Sequence, residues 1–206
     1  MNTARALIAA TWFAGLAACV TRAPLTHDVS LIPVGLQTSS GQHLDEVLTA
    51  RGQSVYECRR DGNLQLWFPE GELSTLIDIM NRSVGTVTPG GYFIAYDESS
   101  VATRRNAVSQ VTAGTLVWAQ LTVKGSSLRN ALGRKGGHFS RTSVILRINT
   151  TGGLPPDALC EREGSALLVP FSAAYLFYSP AEALPVLPSH TSDGALGKPS
   201  HILHRE

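Results

Sequence analysis

Charge of one sign, cysteine and long apolar runs are all scarce in this chain of 206 residues. Lysine and arginine number 17 against 16 acids, and charged residues make up only 16%. Without a basic excess the chain lacks the electrostatic footprint of a nucleic-acid binder, so no nucleic-acid partner is expected. No run is apolar and long enough to span a bilayer, which takes about 20 residues. Catalytic signatures are missing as well. The chain has no Gly-x-Ser-x-Gly elbow, no Ser-x-x-Lys, no His-Glu-x-x-His and no glycine-rich phosphate loop. No βαβ rhythm and no internal repeat appear. No metal and no cofactor are expected. The pair His201 and His204 lies in a polar tail that would not preorganise ligands.

The three cysteines form an odd set for an exported chain. The first residues carry Arg5 and then the uncharged apolar run Ala6–Leu16, of the length a signal-peptide core needs. Leu16-Ala17-Ala18-Cys19 follows directly and looks like a bacterial lipobox, in which the cysteine is acylated and becomes the first mature residue. Several buried acyl chains give a lasting anchor where one is marginal. The expected organisation is a signal peptide over 1–18, a lipidated tether over 19–40, one β domain over 41–180 and a disordered tail over 181–206. The expected location is the bacterial cell envelope, lipid-anchored at the periplasmic face of the outer membrane. With Cys19 assigned to lipid, Cys58 and Cys160 remain. In an oxidising compartment they are either a disulfide pair or two buried thiols.

The β domain is legible from alternation and turns. Ser54–Arg59 sets Tyr56 and Cys58 on one face and Val55 and Glu57 on the other, and Asp61-Gly62 signals a hairpin. Further strands are predicted over Ser83–Thr88, Tyr92–Asp97, Ser100–Arg104, Thr115–Lys124, Ser143–Thr150 and Ala166–Tyr178. Glu72–Met80 fits a strand or a short helix. Leu44, Val47 and Leu48 at helical spacing predict a short helix over His43–Ala50. The fold class expected is mainly β, an antiparallel sandwich or barrel with that N-terminal helix and long loops. Gly125–Arg141, with Arg129, Arg134, Lys135 and Arg141, reads as a solvated basic loop or an anion contact.

Several residues stand out as candidates. Arg147 lies mid-strand on the face shared by Ile145 and Asn149, so it either snorkels or pairs with a buried acid, Asp97 or Glu57 being the expected partners. Asp97, Arg147 and Asn149 are thus a candidate ligand or structural polar site. Glu70 and Glu72 could act as an acid and base. The aromatics Tyr56, Trp67, Tyr92, Phe93, Tyr96 and Trp118 could line a pocket or fill a core.

The order Gly52-Gln53-Ser54-Val55-Tyr56-Glu57-Cys58, Arg147-Ile148-Asn149-Thr150-Thr151-Gly152-Gly153-x-x-Pro156, then Cys160, then Val169-Pro170-Phe171-x-Ala173-x-Tyr175-x-Phe177-Tyr178 resembles the domain-of-unknown-function 3455 family of exported proteins. The resemblance runs from about Gly41 to Tyr178. It implies that Cys58 and Cys160 pair. It also shows departures. Where the family reads Gly-x-His, Gly-Pro-x-Trp and Asp-Gly-Ser, this chain has Gly85-Thr86-Val87, Gly90-Gly91-Tyr92-Phe93 and Asp97-Glu98-Ser99. Any site built on that histidine would be lost or altered here. The expected function is a non-enzymatic binding or structural module of the envelope, with a membrane contact through the lipid and a glycan or protein as ligand. The alternative is an envelope or extracellular hydrolase.

Overall fold

The computed structural model describes residues 31–126 and 136–181. Cys19, the signal segment, the first part of the tether, the centre of the basic loop and the tail from residue 182, with its three histidines, lie outside the described residues. Eight strands follow one another in chain order: β1 (Gln42–Asp61), β2 (Leu64–Ile77), β3 (Ser83–Thr88), β4 (Tyr92–Ala95), β5 (Ser100–Ser109), β6 (Trp118–Ser126), β7 (Val144–Gly152) and β8 (Ala166–Pro180). Each pairs antiparallel with the next, and β8 returns to β1, so the sheet closes into an up-and-down barrel. Closure removes the free edges that an open sheet would expose.

The Asp61-Gly62 signal marks the β1–β2 hairpin, with Gly62 at φ 60°. The ambiguous stretch after Glu72 is strand as far as Ile77. The predicted helix over His43–Ala50 is not formed, because this stretch belongs to β1. The reason is packing on both faces. A register shift at Asp45 disturbs the alternation, and Leu48 then enters the barrel while Leu44 and Val47 pack outside it. Three apolar residues at helical spacing are therefore split between two buried faces.

The outer face is buried because residues 32–37 lie across it. A 3-10 turn at Val34–Leu36 brings Ile32 and Leu36 onto Trp118, Leu146, Ile148, Ala174, Leu176 and Tyr178. Gln120 Nε2 fastens the segment by donating to the carbonyls of Leu36 and Gln37. Strand β8 thus alternates between two cores, with Ala173, Tyr175 and Phe177 inside and Ala174, Leu176 and Tyr178 outside.

One end of the barrel, the base, is plugged. Phe139, fully buried, enters from the β6–β7 connection and stacks on Phe177 with centroids 4.9 Å apart. Phe177 meets Phe93 edge-on, and Phe93 meets Tyr175 in the same way. An aromatic column therefore rises from the base to the middle of the barrel. Asp97 holds the plug in place: its carboxylate accepts from Ser99 N and Oγ and from His138 N, while Ser99 Oγ accepts from Phe139 N. The described part of the basic loop, from Gly136, is thus a packed closure.

Candidate functional site

The opposite end is open. The connections β1–β2, β3–β4, β5–β6 and β7–β8 surround a mouth that leads into a cavity of about 690 Å³. This is within the usual range for small-molecule sites. Tyr56, Leu66, Trp67, Phe93, Leu116 and Leu121 supply apolar wall.

Arg147, Glu72 and Tyr175 form the polar layer of the barrel interior, and the first two line the cavity. Arg147 is 3% exposed and faces inward between Ile145 and Thr150. Its guanidinium forms an ion pair with Glu72, and Nη2 donates to the Val117 carbonyl at 2.8 Å. Its Nε is buried with no hydrogen-bond partner. Tyr175 donates its hydroxyl to the same Glu72 carboxylate. Burial pushes the Tyr175 phenol up to about 12 against the opposing pull of Arg147 and Arg105, so it stays a neutral donor. Tyr56, raised by burial in the same way, donates to the Gly153 carbonyl at 2.7 Å. Gly153 is required there: at φ 84° a Cβ would stand 2.6 Å from Leu116 and 2.9 Å from Ser54 Oγ.

The β7–β8 connection folds over the mouth. Residues 158–160 pair with the part of β2 that extends past β3, through Trp67 N to Ala158 O and Cys160 N to Gln65 O. A disulfide between Cys58 and Cys160 fixes this crossing. Leu154, Pro155, Asp157 and Ala158 of the same connection line the cavity.

The residues singled out from sequence are distributed by this geometry. Arg147 lines the cavity. Its partner is Glu72 and not Asp97 or Glu57, since Glu57 lies with Arg59 and Asp97 is committed to the base. Asn149 is exposed and does not share the Arg147 face, because the strand bulges between Ile148 and Thr151 with Asn149 at φ 50°. Of the aromatics, Tyr56, Trp67 and Phe93 line the cavity, Trp118 is buried on the outer face, and Tyr92 and Tyr96 are exposed. His138 is the histidine at the base, where Nε2 lies 2.8 Å from Glu46 Oε1. Among the described residues, no histidine lines the cavity.

Sequence reasoning did not single out Arg105, Ser54 or Tyr175 as site residues. Alternation along β5, with Val101 and Thr103 buried, would have put Arg105 on the inner face. Two of the three departures from the family pattern also fall here. Val87 and Phe93 are direct cross-strand partners and both line the cavity.

A family model described as "Protein of unknown function (DUF3455)" matches residues 39–179. No curated protein and no solved structure matches the chain.

Proposed function

Since the chain belongs to the DUF3455 family, whose description names no activity, we propose its function from the cavity: a non-enzymatic binding module that holds a small amphipathic molecule inside the barrel. The supporting observation is a base-plugged, open-mouthed cavity with mostly apolar walls around one buried polar layer. Such a shape buries most of a ligand's surface and fixes its orientation with few polar groups. Glu72 is engaged by a guanidinium and a phenol, so it serves as a counter-ion in this reading and not as a free base.

The proposal extends to place. An acylated Cys19 would hold the barrel at the bacterial envelope, at the periplasmic face of the outer membrane, with the segment before Ile32 as tether. The motif Leu16-Ala17-Ala18-Cys19 supports it. The mass of the mature N-terminus tests it: an acylated Cys19 is expected, and an unmodified one or a cut elsewhere overturns it.

For the cavity, the full chain is purified without detergent and titrated with Nile red, a neutral polarity-sensitive dye. Saturable binding is expected, and it is lost in Leu121→Trp, which fills the cavity. An unbound dye, or equal binding to a folded Leu121→Trp variant, overturns the reading.

A further inference from the structure

Among the described residues, one guanidinium on the cavity wall has no partner. Arg105 lines it, on the inner face of β5 above the buried Val101 and Thr103, with Leu121 as its cross-strand partner. Among the described residues it has no hydrogen bond and no ion pair, and its side chain is exposed. The other lining cation, Arg147, is matched by Glu72. Of the two remaining lining carboxylates, Glu70 is engaged by Arg59, and Asp157 is exposed on the β7–β8 connection at the rim. Arg105 lines the same cavity as Tyr56, Glu72 and Arg147, and its charge opposes the burial that raises the phenols of Tyr56 and Tyr175.

An unpaired cation in a mostly apolar wall, whose buried charges are matched, selects the sign of what enters. The planar guanidinium presents paired donors that match a carboxylate, and one unpaired positive charge balances one negative charge. A dianion would leave a charge uncompensated against apolar walls. Resting on the reading of the cavity as a binding site, we propose that the ligand is a monocarboxylate amphiphile, its carboxylate held by Arg105 and its apolar body lying against Tyr56, Leu66, Trp67 and Leu116.

The test is displacement of Nile red from the full, detergent-free chain by a long-chain carboxylic acid and by the primary alcohol of the same length. The acid is expected to displace the dye at about tenfold lower concentration than the alcohol, the scale of one charge-assisted hydrogen-bonded contact. Arg105→Gln removes an exposed side chain without touching the core. It is expected to bring acid and alcohol to within about twofold of each other. Arg105→Lys keeps part of the preference. Equal displacement by acid and alcohol, or a preference that survives Arg105→Gln, overturns the carboxylate assignment while the binding cavity stands. Failure of the dye to bind, seen before any competitor is added, overturns the cavity reading and this inference with it.

Discussion

Breaking the Arg147–Glu72 pair tests how the barrel carries a charge inside it. The Arg147 side chain is 4% exposed and that of Glu72 is 13% exposed. Glu72→Gln keeps the shape and leaves the Tyr175 hydroxyl an acceptor, but strips the guanidinium of its counter-charge. Arg147 then retains only the Val117 carbonyl, with its Nε already unpartnered. Removing one member of a buried pair costs about 3–5 kcal/mol. That is a large part of the roughly 5–15 kcal/mol a domain has in total. At about 2–4 °C per kcal/mol for a chain of this size, the melting temperature should fall by roughly 6–20 °C. Arg147→Met leaves Glu72 with the Tyr175 hydroxyl and should cost a comparable amount. The double variant Arg147→Met/Glu72→Met removes both charges and replaces them with flexible apolar volume. Its cost should fall short of the sum of the singles by at least about 1–2 kcal/mol, the coupling expected of groups in direct contact. Urea unfolding with the disulfide intact and an unchanged m-value measures this. Single variants that each cost under about 1 kcal/mol, or a double variant whose cost is additive, would refute the reasoning.

Replacing Cys58 and Cys160 together with serine should cost about 2–5 kcal/mol, since the bridge closes a span of 102 residues. It should also weaken Nile red binding, because the freed β7–β8 connection forms one wall of the cavity; unchanged stability and binding on reduction would count against both points. Phe139→Ala should cost about 3–5 kcal/mol by emptying the plug. Gly137→Ala should destabilise the same closure, since at φ 152° its Cβ would stand 2.4 Å from Ser99 Cβ; a thermal melt that matches wild type for either variant contradicts the plug. His138 is raised above its ordinary 6.5, first by its hydrogen bond to Glu46, against burial. Its contribution is full below that ordinary value and is lost as pH rises through the raised one, and partial exposure limits it to under about 1 kcal/mol. Melting temperatures across this range should fall for wild type relative to His138→Gln, and parallel profiles would remove the ion pair from the account. Asp97 behaves oppositely. Burial raises it, but hydrogen bonds from Ser99 and His138 outweigh that and hold it low, so its contribution is lost as pH falls through the lowered value.

Most strands were legible because alternation and glycine turns are local signals. Ser83–Thr88 coincides with β3, and Asp61-Gly62 with its hairpin. The stretch around Leu44 and Leu48 was not legible, since its pattern depends on a second apolar layer supplied by Ile32 and Leu36. Arg147 was visible as a mid-strand cation that either snorkels or pairs with a buried acid, but neither the choice nor the acid was legible. Glu72 reaches it across the barrel interior, and the choice follows from closure and shear, which no local window contains. The Asn149 expectation failed at a bulge, where one extra residue reverses facing; the positive φ that asparagine tolerates was the available hint. The cysteine pairing came from counting and from resemblance, and the structure adds what it does: it ties the mouth-crossing segment to β1.

The position of the buried charges bears on function. An ion pair inside a protein is weak evidence for stability, because well-packed apolar residues of similar volume often do as well or better. This chain fills the space toward the base in that way, with Phe139, Phe177, Phe93 and Ile145 in contact around one core. Polar groups enter at Tyr175, the top of the aromatic column, where its hydroxyl meets Glu72 and Glu72 meets Arg147. At the same level the wall carries Val87 and Phe93 where the family pattern has histidine and tryptophan. The cavity's buried ion pair therefore sits in one layer, and Arg105, exposed on the same cavity's wall, is the lining cation without a partner among the described residues. A barrel that needed only to fold would gain little from that layer. A barrel that must orient one end of an amphipathic molecule requires it at this depth, between a sealed base and an open mouth.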